Sequence, residues 1–151
     1  MMDEKLLKLL IDRAAEQREE AARKVAQARQ EHETAARTLG TLTDYREQSL
    51  DRGPVRSQTS TDTRQLSIAG QFDARLVAAI EQQSGQTQAK AQVVEARQSE
   101  ATQAYQRLKA LEAIALRREQ RAQKVQARRE QRMNDEFATD QAARRSKEDS
   151  R

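Results

Sequence analysis

Apolar residues recur along this chain at alternating steps of four and three. From Leu7 the steps land on Ile11, Ala14, Arg18, Ala21, Val25, Ala28, His32, Ala35, Leu39 and Leu42. From Leu76 they land on Ile80, Gln83, Thr87, Lys90, Val94, Arg97, Ala101, Ala104, Leu108, Leu111, Ala115, Arg118, Ala122 and Val125. A period of about 3.5 residues is that of a helix whose apolar stripe faces another helix. The two stripes are separated by Asp51-Arg52-Gly53-Pro54, followed by Ser57, Thr59, Ser60, Thr61 and Thr63 with almost no apolar residue. Gly favours helix ends, and Pro both lacks the donor that continues the ladder and biases its predecessor away from helix. Asp62 with Gln65 three positions later has the capping-box pattern that restarts a helix.

The pattern therefore predicts an all-α fold. A first helix spans about 3–50, a loop about 51–62, a second helix about 63–138 and a flexible tail about 139–151. Together they make one elongated domain, a long antiparallel two-helix coiled coil or helical hairpin. At ~1.5 Å per residue the helices would run about 70 and 110 Å. Folding about residue 58 sets residue i against roughly 116 minus i, so the first helix should reach only about residue 113 and the end of the second should overhang.

Composition narrows the function classes. Of 151 residues, 36% are hydrophobic and 34% charged, with two Phe, two Tyr and no Trp, which cannot fill a globular interior. Four Gly and one Pro supply too few turns for a sandwich, barrel or doubly wound sheet. There is no Cys, hence no disulfide framework or thiolate chemistry, as suits a cytosolic chain. The apolar run Leu6–Ile11 is short and interrupted by Lys8, unlike a signal peptide or membrane span.

Charge is unevenly placed. Residues 1–53 hold 10 basic and 11 acidic side chains, residues 54–115 hold 7 and 6, and residues 116–151 hold 11 and 7, so the net +4 lies in the last segment. From 117 to 132, Arg117, Arg118, Arg121, Lys124, Arg128, Arg129 and Arg132 stand against Glu119 and Glu130. Nucleic acid is a poor fit, because no aromatic lies between Tyr105 and Phe137 to stack a base and acidic residues interrupt the cluster. A membrane surface is a poor fit because the segment has no broad apolar face. An acidic protein partner or solvation fits better.

Catalytic chemistry finds no constellation. His32 falls on the first stripe with no second His or Cys to share a metal or activate a nucleophile. Asp135 and Glu136 are helix neighbours that point apart, and the glycines are isolated, with no phosphate cradle. The chain reads as a non-enzyme without cofactor or metal. Near the loop, Leu39, Leu42, Tyr45, Phe72, Leu76 and Ala79 gather. Those on the stripes would lock the tip, while Tyr45 and Phe72, each beside a stripe position, could present their rings to a partner. The residues leave open a homo-oligomeric coiled-coil scaffold and a basic helix associated with RNA.

Three segments carry a family resemblance: LTDY at Leu42–Tyr45, QFDARLVAAIEQQ at Gln71–Gln83 and MNDEFA at Met133–Ala138. Together they resemble the FliJ family of the flagellar type III export apparatus. The resemblance implies a cytoplasmic adaptor, a monomer alone, held at the inner membrane only through its partners. It implies a stalk whose open end, the N-terminal turns with the basic overhang Arg117, Arg118, Arg121, Lys124, Arg128, Arg129 and Arg132, enters the FliI-like export ATPase ring and promotes its hexamer. It implies that Leu42, Tyr45, Phe72, Leu76 and Ala79 face the FlhA-like export gate, and that export chaperones bind. The sequence departs from the family pattern at Ser49, where a second tip aromatic is expected, and at Gln83, where some members carry histidine.

Overall fold

The structure, a computed structural model, describes residues 2–53 and 62–150. Two helices make up the fold, α1 (Glu4–Arg52) and α2 (Thr63–Asp149), packed as the antiparallel hairpin that the stripes predict. The Asp3 carbonyl accepts from the Leu7 amide at 2.9 Å, and the Asp62 carbonyl from the Leu66 amide at 3.2 Å, so each Asp is the half-helical residue that opens its helix. At the end of α1 the Gly53 amide donates to the Leu50 carbonyl at 3.4 Å. The loop residues Pro54, Ser57, Thr59, Ser60 and Thr61 lie outside the described residues.

α2 does not stop near residue 138. It continues to Asp149 through the stretch expected as a flexible tail. No Gly or Pro follows Gly85, and the stretch carries strong helix formers such as Gln141, Ala142, Ala143, Arg144 and Arg145.

The chain divides into two compact units, residues 15–105 and residues 1–14 with 106–151. In the first, Val25, Ala28 and Leu76 are buried; in the second, Leu7, Ala14 and Leu108. Each buried Leu or Val contributes about 1.5–3 kcal/mol, whereas an alanine mainly permits close approach. Nearly every other stripe position is half-buried, including His32, Gln83, Thr87 and Arg97.

Polar stripe positions are satisfied in place. The Gln83 amide nitrogen donates to the Ala35 carbonyl at 3.1 Å, the Thr87 hydroxyl to its own helix's Gln83 carbonyl at 2.9 Å, and Lys90 Nζ lies 3.2 Å from Glu31 Oε2. Arg18 leaves the stripe for the surface, its guanidinium 5.1 Å from the Tyr105 ring centroid. No buried side-chain N or O among the described residues lacks a hydrogen-bond partner.

Partners across the hairpin lie further along α2 than the 116-minus-i rule places them, by about three positions for Arg46 with Asp73 and about seven for Arg18 with Tyr105. Side chains on a helix lean toward its N-terminus, which accounts for about two of these positions in an antiparallel pair; the rest is a register that folding about residue 58 does not capture. The start of α1 accordingly reaches past residue 113. Glu4, Leu7, Lys8 and Ile11 share a groove with Ala115, Arg118, Glu119 and Ala122.

The glycines separate into two kinds. A Cβ at Gly40, Gly70 or Gly85 would meet nothing within 4 Å, whereas at Gly53 it would lie 2.9 Å from the Ser49 carbonyl oxygen. We expect G40A, G70A and G85A each to raise stability in urea unfolding by about 1 kcal/mol, and G53A to lower it. A gain at Gly53 equal to the others would contradict the close approach seen there.

Candidate functional site

The five residues expected at the hairpin tip take three different positions. Leu76 is 9% exposed and belongs to the core; Leu42 and Ala79 are half-buried along the seam. Tyr45 and Phe72 are 52% and 41% exposed, and their rings meet edge to face with centroids 6.2 Å apart and planes at 79°. That geometry suits opposed ring quadrupoles and holds each ring in one place without burying it. Leu76 thus belongs to the packing of the helices, while the rings are what a partner could reach.

The residues that follow the two rings in sequence, Arg46 and Asp73, form a two-pronged ion pair, Nε to Oδ1 at 2.9 Å and Nη2 to Oδ2 at 3.3 Å. Both sit on the seam, where apolar residues would be expected, and the fork satisfies both carboxylate oxygens. The hydrogen bond from Arg46 holds the Asp73 carboxyl below the usual carboxylate range, and the same bond raises the Arg46 guanidinium.

A second surface feature lies alongside. A groove of about 310 Å³ is lined by Ser49, Leu50, Gly53, Leu66, Ala69, Gly70, Phe72 and Asp73, with Leu66 and the neighbouring Ile68 exposed. Leu66 and Ile68 precede the first repeat recognised on α2, so the 3.5-residue pattern gave no signal for them. The small side chains at Ser49, Gly53, Ala69 and Gly70 are what make the groove.

At the other end, Arg118 is half-buried and lines the groove with α1, so it is not part of an overhang. Arg117, Arg121, Lys124, Arg128, Arg129 and Arg132 are exposed, as is every described residue from Glu119 to Ser150. Exposed apolar side chains punctuate this helix at Val125, Met133 and Phe137. Among the described residues no group of His, Asp and Glu is arranged to hold a metal ion, and His32 lies half-buried in the seam. No described helix is long and apolar enough to cross a membrane.

Residues 3–147 match the profile of the family described as Flagellar FliJ protein. No curated protein and no solved structure matches the chain.

Two expectations follow from the tip. Y45A and F72A should each lower stability by only about 0.5–1.5 kcal/mol, the worth of an aromatic pair, while L76A should lower it by about 2 kcal/mol or more, as cavities in a core do; thermal or urea unfolding separates them. The ion pair adds a pH signature. With its pKa depressed by folding, Asp73 stabilises fully above the ordinary carboxylate pKa of about 3.9 and loses that contribution as pH falls through the lower folded value. The difference in urea midpoint between the native chain and D73N should be constant near neutrality and shrink below about pH 4. A difference independent of pH would exclude this role.

Proposed function

The chain belongs to the FliJ family, which gives it a role in flagellar export, and from that premise we propose that it is a non-enzymatic stalk of the export apparatus. The open end of the hairpin enters the ring of the export ATPase, promotes its hexamer and stimulates hydrolysis. The tip rings, Tyr45 and Phe72, with Leu42, Leu76 and Ala79, contact the cytosolic domain of the export gate. Export chaperones bind the same adaptor, which is a monomer alone and reaches the inner membrane only through these partners.

The observation that carries this reading is the uncovered end of α2. From Glu119 to Asp149 the chain is helical with every residue exposed, and its first turns carry most of the chain's surplus of positive charge. A helix of that length spans about 45 Å at 1.5 Å per residue. Alone in water, such a helix gains little from burial and is marginal. Enclosure in a partner's channel would supply what its own chain does not. Inside a ring, many shallow contacts made by long flexible Arg and Lys side chains can be exchanged one for another as the ring changes state, since no single one is worth much. Stiffness transmits the motion, and the weakness of each contact lets the ring turn or slip about it.

The tip reading rests on exposed aromatics in mutual edge-to-face contact, each next in sequence to one member of a two-pronged ion pair. Aromatic residues fixed before binding lose little conformational entropy when a partner covers them, which is why they serve as anchors.

Replacing Arg117, Arg118, Arg121, Lys124, Arg128, Arg129 and Arg132 together by Gln should abolish most stimulation of the cognate export ATPase and its ring formation. Helicity by circular dichroism should stay intact. Stimulation equal to that of the native chain would remove this segment from the proposed mechanism.

A further inference from the structure

The charged end of α2 is two-sided. The row stepping by three and four through Ile114 holds Arg117, Arg121, Lys124 and Arg128 and no acid. The row on the other flank holds Glu112, Leu116, Glu119, Gln123, Gln126 and Glu130 and no base. At about 3.6 residues per turn these rows lie on either side of the seam row through Leu108, Leu111, Ala115 and Arg118. Positive charge therefore occupies one flank of the helix and negative charge the other.

The basic flank carries an aliphatic strip where α1 and α2 lie together, while Leu116 stands exposed on the other flank. Tyr45 and Phe72 each come one residue before a seam position, Arg46 and Asp73, and their rings meet, so residues in that place on the two antiparallel helices share a side. Leu10 stands in the same relation to Ile11, and Ile114 to Ala115. Leu10 is 36% exposed and Ile114 38%, and Leu6, one turn before Leu10, is 48% exposed. Leu6, Leu10 and Ile114 thus form an aliphatic strip beside the seam, bordered on α2 by Arg117 and Arg121. The first turns of α1 are apolar over more of their circumference than a two-helix seam needs, with Leu7 and Ile11 turned inward and Leu6 and Leu10 beside them.

We propose that this flank is the docking surface for a third helix, supplied by a partner protein, whose apolar stripe covers Leu6, Leu10 and Ile114 and whose acidic border faces Arg117, Arg121, Lys124 and Arg128. The proposal rests on the reading of this end as the partner-binding end and names the chemistry of what binds there. Two features select the occupant. An aliphatic strip between two parallel ridges takes a helix with residues at steps of three and four. A border of four cations without an anion favours carboxylates and repels a basic helix, while the other flank, with Glu112, Glu119 and Glu130, repels the same acidic ligand. Docking is therefore one-sided, and its register is set by where the basic row begins.

The test uses the full chain and a synthetic amphipathic peptide of about three heptads, Leu at its seam positions and Glu on its borders, with a Lys-bordered peptide as counterpart. Fluorescence anisotropy should show saturable binding of the Glu-bordered peptide that weakens with added salt, and at least about tenfold weaker binding of the Lys-bordered one. Two sets of substitutions change net charge equally. R117Q, R121Q and R128Q neutralise the proposed flank, whereas Q120E, Q123E and Q126E add charge elsewhere on the helix. The first set, and separately L6Q, L10Q and I114Q, should weaken binding about tenfold, and the second set less than about threefold. Equal weakening by the two charge sets, equal binding of the two peptides, or no binding at all would overturn the proposal. Stimulation of the export ATPase, measured on the same variants, separates this inference from the reading beneath it. If the peptide follows the flank and none of the seven basic residues affects hydrolysis, the docking surface stands and the ring assignment falls. If hydrolysis drops equally with both charge sets while the peptide ignores the flank, a ring that surrounds the helix stands and the one-sided surface falls.

Discussion

The contact that everything else depends on is a narrow seam in which alanines and polar residues separate single large aliphatic side chains. Alanine lets two helices approach closely yet removes little apolar area from water, so few side chains carry most of the burial: Val25 and Leu76 in one unit, Leu7 and Leu108 in the other. A seam that thin is degenerate, because one alanine layer resembles the next and a shift by a heptad would change little. Specificity has to come from residues that do not fit elsewhere. Arg46 forked onto Asp73, Gln83 onto the Ala35 carbonyl and Lys90 onto Glu31 each tie one position on α1 to one on α2. A shift would leave these polar groups without their partners, which is costlier than the burial it could gain.

The same economy decides what is left over. Coverage by α1 ends around its first turns, and beyond Ala122 every described residue of the second helix is exposed. Its residues are accordingly polar and charged, with no continuing stripe of large aliphatics, and they remain helical through local propensity. A FliJ-family chain thus keeps its packed part and its uncovered part on one continuous helix, and the two tasks proposed for it draw on different parts: fixed aromatics at the tip, and a charged helix at the open end.

Most of the architecture was legible because a 3.5-residue stripe has one physical meaning. The seam from Leu7 to Leu42 and from Leu76 to Arg118 was readable from Leu, Ile, Val and Ala spacing alone, and the polar positions within it were visible as interruptions. Their partners were not, since Gln83 bonds to a backbone carbonyl and Arg46 to a residue whose register depends on the lean of side chains along each helix. The same difference in register brings Arg118 beside α1, where counting from a fold point at residue 58 left it outside. The persistence of α2 to Asp149 was missed because a polar stretch without a stripe reads as tail, although nothing in it breaks a helix. At the tip, Tyr45 and Phe72 were identifiable from their place beside the seam, whereas the groove at Leu66 depends on the smallness of Gly53, Ala69 and Gly70, which no apolar pattern records.

Amide hydrogen exchange on the free chain, read residue by residue, tests the central claim most directly. If the seam alone holds the helices, protection is greatest beside Val25 and Leu76 in one unit and Leu7 and Leu108 in the other, and beyond Gln123 falls to within about tenfold of an isolated helix. Protection beyond Gln123 as strong as that beside Leu108 would mean that something in the free chain already covers the end of α2, and the account of an uncovered, partner-seeking helix would be wrong.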